Sequence, residues 1–146
     1  MNKLRTILLV EDNEQDVELT IEALTEYNLA NNIVTVGDGV EALEYLRYEG
    51  KFENRSKSDP AVILLDIKMP RMDGLEVLET IKTDEKLKNI PVVMLTSSRE
   101  NPDLKRCYDL GVNAYVVKPV DFKEFMVAVK QIGVFWAIIN EQPPRN

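Results

Sequence analysis

Five short apolar runs alternate with stretches of helical periodicity, and this alternation constrains the fold more than any other feature. Residues 6–10, 32–36, 61–65, 92–95 and 114–117 are rich in Val, Ile and Leu and are four or five residues long. Runs this apolar suit strands covered on both faces, as in a parallel sheet, with helices as the crossovers. Right-handed crossovers then give a doubly wound α/β fold: a five-stranded parallel sheet with helices on both faces. The order 2-1-3-4-5 is one of two common solutions, and it sets strands 1 and 3 side by side.

Between the strands, Asn13 caps a helix expected to reach about Tyr27, with Val17, Ile21 and Leu24 facing inward. Asp38 caps a second helix carrying Val40, Leu43 and Leu46. Residues 47–59 are polar and turn-rich, and they read as a long surface loop before Pro60. A third helix spans about 75–83, and Asn101-Pro102 opens a fourth that ends at Gly111. Asp121 caps the last, which is expected to run past Trp136 towards Pro143-Pro144. The chain of 146 residues reads as one domain, with no repeat and no second domain.

Four of the strands end in chemically capable groups. Strand 1 runs into Glu11-Asp12, strand 3 into Asp66, strand 4 into Thr96 and strand 5 into Lys118-Pro119. Ligands of open α/β sheets bind beyond the carboxyl ends of the strands. Taken singly, each residue has an ordinary explanation. Asp66 reads as a helix cap, Glu11-Asp12 as a helix-start pair, Lys118 as surface, Thr96 as part of a turn and Tyr115 as a half-buried strand aromatic. Their joint placement on one edge favours a site.

Composition narrows the chemistry. The net charge of −7 argues against sequence-independent nucleic-acid binding. No apolar stretch approaches the roughly 18–20 residues of a spanning helix, so no membrane partner is expected. There is no histidine, which removes Ser-His and Cys-His catalysis and most zinc sites. The single cysteine, Cys107, cannot form an internal disulfide, and a reducing cytoplasm is the expected setting. Three carboxylates in one cleft require a cation, and an all-oxygen set with open positions suits Mg²⁺. Lys118 and Thr96 suit phosphoryl oxygens, and Asp66 suits a nucleophile that becomes an aspartyl phosphate.

These residues resemble the receiver domain of two-component response regulators over positions 5 to about 131. The matching elements are the acidic pair Glu11 and Asp12, Asp66, the loop Met69-Pro70-Arg71-Met72-Asp73-Gly74, Thr96, Tyr115 and Lys118-Pro119. The resemblance implies a signalling module, not a turnover enzyme, that catalyses its own phosphorylation and slow dephosphorylation. A partner histidine kinase would supply the phosphoryl group to Asp66. Mg²⁺ would be held by Asp12, Asp66, the Lys68 carbonyl and, through water, Glu11. It implies Thr96 and Tyr115 as the switch pair, a cis Lys118–Pro119 bond, and an output surface on helix 4, strand 5 and helix 5. Lys68 and Ser98 occupy positions that tune dephosphorylation in that family.

The C-terminal segment adds an expectation of its own. Within a tail of about 132–142, Val134, Phe135, Trp136, Ala137, Ile138 and Ile139 are apolar almost all round, and Val134, Phe135, Trp136 and Ile138 are expected to bury in a homodimer interface with strand 5 and helix 5. Together with the 47–59 loop, this tail resembles the stand-alone receivers that serve bacterial phytochrome-type kinases. Three competitors have less support. A pseudo-receiver would lack some of the intact set Asp12, Asp66, Thr96 and Lys118. An aspartate-nucleophile phosphatase would carry a second acid where Lys68 stands. A flavin-binding fold fails on the anionic Glu11-Asp12-Asn13-Glu14 loop.

Overall fold

The computed structural model describes residues 6–25, 33–112 and 114–131. Each apolar run becomes a strand: β1 (Ile7–Val10), β2 (Ile33–Val36), β3 (Val62–Asp66), β4 (Val92–Thr96) and β5 (Tyr115–Val117). Between and after them lie α1 (Glu14–Thr25), α2 (Gly39–Arg47), α3 (Gly74–Thr83), α4 (Asp103–Asp109) and α5 (Phe122–Gln131). All neighbouring strands are parallel, in the order β2-β1-β3-β4-β5. The doubly wound fold expected from the sequence is therefore the fold observed.

Alternation along the strands divides the core in two. Leu8, Val10, Ile63, Leu65 and Met94 point to the side covered by α2, α3 and α4, through Leu46, Val77, Leu78, Ile81 and Leu104. Ile7, Leu9, Val62, Leu64, Val93 and Leu95 point to the side covered by α1 and α5, through Leu24, Phe125 and Val129. Burying each such side chain is worth about 1.5–3 kcal/mol. This two-sided burial is why the strands read as continuous apolar runs.

Register then decides which polar residues meet. Val10 lies opposite Leu65 and Leu8 opposite Ile63, so Glu11 follows β1 at the level of Asp66. Asp66 pairs with Leu95, and Thr96 with Val117, which brings Thr96 and Lys118 one step further along the same edge.

Helix ends follow local chemistry. The Asn13 side chain accepts from the Asp16 N–H at 3.0 Å, and Asp38 caps α2 by accepting from Glu41 N–H at 2.9 Å. Asp73 and Glu76 form a capping box, which starts α3 at Gly74, one residue before the sequence reading. Gly111, at φ +101°, closes the turn after α4.

Two segments carry detail beyond the sequence reading. Val40 is exposed, because the buried face of α2 runs through Gly39, Ala42, Leu43 and Leu46 and leaves Val40 at its rim. The 47–59 segment lies at the surface as expected, and it has internal structure. It contains a 3-10 turn (Gly50–Phe52) and is gathered around Arg55. The Arg55 guanidinium lies 3.8 Å from the Tyr45 ring centre and 4.0 Å from that of Tyr48. It donates to the carbonyls of Tyr45, Ser56 and Ser58. The continuation of α1 to Tyr27, that of α5 past Trp136, and the tail residues Val134, Phe135, Trp136 and Ile138 lie outside the described residues.

Candidate functional site

The ends of β1, β3, β4 and β5 surround a cleft of about 200 Å³, lined by Glu11, Asp12, Asp16, Asp66, Lys68, Thr96 and Lys118 among others. Carboxylate oxygens of Glu11, Asp12 and Asp66 all lie within 4.8 Å of one another. Glu11 and Asp66 are buried and Asp12 is exposed, so the group opens to solvent on one side. The Lys118 ammonium reaches across the cleft. It stands 3.0 Å from Glu11 Oε1, 3.0 Å from Asp16 Oδ2 and 3.3 Å from Asp66 Oδ2.

This is a site short of positive charge. Four carboxylates line it, those of Glu11, Asp12, Asp16 and Asp66, and of its two lysines Lys68 is paired with Asp103, which leaves Lys118 alone against them. Burial pushes the Glu11 carboxyl up to about 7, against the pull of Lys118 and the Asn13 N–H, while the charge on Asp66 adds to the rise. For Lys118, burial alone would favour the neutral amine. Its bonds to Glu11 and Asp16 and the charge on Asp66 outweigh that and hold it above its ordinary value. The donor set is all oxygen, clustered, partly open and under-neutralised, which fits a hard divalent cation.

The loops hold this geometry from behind. The Gly74 N–H donates to the Ile67 carbonyl at 2.8 Å. A Cβ at Gly74 would stand 2.2 Å from the Asp66 carbonyl oxygen and 2.8 Å from Ile67 Cα, so only glycine fits. Thr96 is buried, and its hydroxyl donates to the Ser98 carbonyl at 2.9 Å, turned onto its own loop. The Lys118–Pro119 peptide bond is cis. Lys68 points outward, its ammonium 3.8 Å from Asp103 Oδ2.

Tyr115 stands apart from the cleft. It is half-buried between α4 and α5, in edge contact with Tyr108 (ring centres 6.3 Å apart) and 6.0 Å from the Arg99 guanidinium. Arg99 pairs in turn with Glu124 of α5.

Residues 7–130 match the response regulator receiver domain family. The chain belongs to this family. The receiver resembles the structure of the bacteriophytochrome response regulator AtBRR, at 59% identity over 95% of this chain and 99% of that one, with a TM-score of 0.88. It also resembles the phosphorylated cyanobacterial phytochrome response regulator RcpA, at 43% identity over 98% and 100%, with a TM-score of 0.76. The response regulator Rcp1 of Synechocystis is 38% identical over 92% of this receiver and 90% of its own length. The family reading made from the motifs therefore holds, as does the kinship with phytochrome response regulators.

Sequence reasoning did not single out Asp16. The signal was available: Asp16 is four residues after Asp12, in the first turn of α1, and helix side chains lean towards the N-terminus. That tilt aims its carboxylate back at the sheet edge and into Lys118. No helix among the described residues is long and apolar enough to cross a membrane.

Proposed function

We propose that this receiver is a phosphorylation-controlled interaction module in which Asp66 accepts a phosphoryl group from the phosphohistidine of a partner kinase. The observation that carries this reading is the Asp66 carboxylate, buried beside Lys118 at 3.3 Å in an acidic cleft at the edge of the sheet. An Asp66 oxygen attacks phosphorus, the phosphorus–nitrogen bond breaks, and its electron pair leaves with the imidazole. Lys118 neutralises one phosphoryl oxygen, and the Thr96 hydroxyl leaves Ser98 to bond another.

Asp12, Asp66, the Lys68 carbonyl and, through water, Glu11 would hold Mg²⁺. When bound, it supplies the positive charge that the transferring group needs. In support, Rcp1 has been crystallised in a Mn²⁺-bound form, and the RcpA structure is that of the phosphorylated protein. The movement of Thr96 opens space behind it for Tyr115, which changes the surface shared by α4, β5 and α5. The likeness to bacteriophytochrome response regulators supports a phytochrome-type histidine kinase as donor, with the reaction in the cytoplasm. Slow hydrolysis of the acyl phosphate resets the module.

Intact mass after incubation with acetyl phosphate and Mg²⁺ tests the chemistry. A gain of about 80 Da that requires Mg²⁺ and is absent from Asp66→Asn is expected. No gain, together with no Mg²⁺-dependent beryllofluoride binding, would replace the switch by a constitutive interaction module.

We further propose that the receiver pairs with a second copy of itself through Val134, Phe135, Trp136 and Ile138. This rests on their nearly continuous apolar sequence. Light scattering at tens of micromolar, an assumed range because dimer stability depends on concentration, should give twice the chain mass. A variant truncated after Gly133 should give a single chain mass. A monomeric full chain would refute the interface.

A further inference from the structure

We propose that Asp16 is a positioning residue for Lys118 that holds the receiver back from phosphoryl occupancy. This deepens the reading of Asp66 as phospho-acceptor and rests on it. An ammonium has three N–H donors, and three carboxylates stand within reach of Lys118. Of these, Asp66 is the most distant, at 3.3 Å, against 3.0 Å for Glu11 and Asp16. The lysine that has to serve the phosphoryl group is therefore already engaged elsewhere.

The two competitors differ in how firmly they are fixed. Glu11 is buried at the end of β1, and its second oxygen accepts from the Asn13 N–H at 3.1 Å. Asp16 lies at the rim, its side chain 29% exposed, on the first turn of α1. Its backbone is set by the bond from its N–H to the Asn13 side chain, so its carboxylate is aimed without being enclosed. A phosphoryl group on Asp66 raises the charge at that position from one negative to about two. Lys118 then exchanges a carboxylate for a phosphoryl oxygen, and the bond that yields is the solvated one, to Asp16.

Two consequences act in the same direction. The Asp16–Lys118 pair stabilises the unphosphorylated arrangement and is lost in the phosphorylated one. The Asp16 charge also repels the incoming dianion. Removing that charge while keeping the shape should therefore favour phosphoryl occupancy. A residue that merely supported the fold would weaken it when replaced.

The test is calorimetric titration of the full chain with beryllofluoride, which mimics a phosphoryl group on a carboxylate, at saturating Mg²⁺. Wild type, Asp16→Asn and Asp16→Glu are compared, with melting curves to show that each is folded. Asp16→Asn should bind about fivefold more tightly, the scale of a partly exposed ion pair. Asp16→Glu, which keeps the charge, should stay within about twofold of wild type. Binding by Asp16→Asn equal to or weaker than wild type would overturn the proposal. So would Asp16→Glu matching Asp16→Asn, because charge would then not be the cause. Failure of the wild type itself to bind would instead strike the acceptor reading, and this proposal with it.

Discussion

Replacing Lys118 with methionine should slow phosphorylation of Asp66 by acetyl phosphate at least about 100-fold, the scale set by removing one preorganised charge-stabilising donor. The same change should tighten Mg²⁺ binding about tenfold, because it removes a positive charge a few ångströms from the cation. The two effects point in opposite directions, and that is their value as a test. Lys118 is the one cation facing Glu11, Asp16 and Asp66 among the described residues that line the cleft. Without it, Glu11 and Asp66 remain buried with no compensating charge, at a cost of about 3 kcal/mol in metal-free solution. Added Mg²⁺ should restore much of that stability without restoring phosphorylation. Stopped-flow phosphorylation and a Mg²⁺ titration on one preparation decide the matter. If Mg²⁺ binding weakens together with phosphorylation, Lys118 is a scaffold for the cleft and not its phosphate-facing charge.

Alanine at Gly74 should lower stability by about 3 kcal/mol and the melting midpoint by about 10 °C. In an unconstrained first turn of a helix, this change would be neutral or favourable. Here the added methyl meets backbone, with the Asp66 carbonyl oxygen at 2.2 Å and Ile67 Cα at 2.8 Å. Backbone cannot rotate aside as a side chain can. The Asp66–Ile67 segment has to move or the start of α3 has to unwind, and either outcome displaces the acceptor carboxylate. Circular dichroism melts measure the first effect and acetyl phosphate labelling the second. A midpoint within about 3 °C of wild type would show that the loop yields at little cost and that Gly74 is not the wedge behind Asp66.

The site was legible in the sequence to the extent that it is made of strand ends. Glu11, Asp66, Thr96 and Lys118 each follow an apolar run, and a parallel sheet collects such positions at one edge. Asp16 escaped because it is carried by a helix. Its approach to Lys118 depends on how α1 is rotated over the sheet, and a strand-end pattern does not encode that. Val40 is another residue that tertiary packing placed: it shares the helical spacing of Leu43 and Leu46, yet α2 packs close against Val77 and Met72 through Gly39, and Val40 stands at the rim. Arg55 carries no periodic signal at all. Its role comes from two tyrosine rings, ten and seven residues earlier, that the turn at Tyr48 folds against it.

The sequence by itself determined the alternation of strands and helices, the two-sided burial of the sheet and the edge on which the chemistry sits. Those properties follow from hydrophobic patterning and local capping, both of which act over a few residues. Only the tertiary structure decided which carboxylates hold Lys118 and at what distances. It alone showed the Thr96 hydroxyl turned onto Ser98, and a glycine wedged behind Asp66. Those are properties of register and close packing between segments far apart in the chain, where a shift of one ångström makes or breaks a bond.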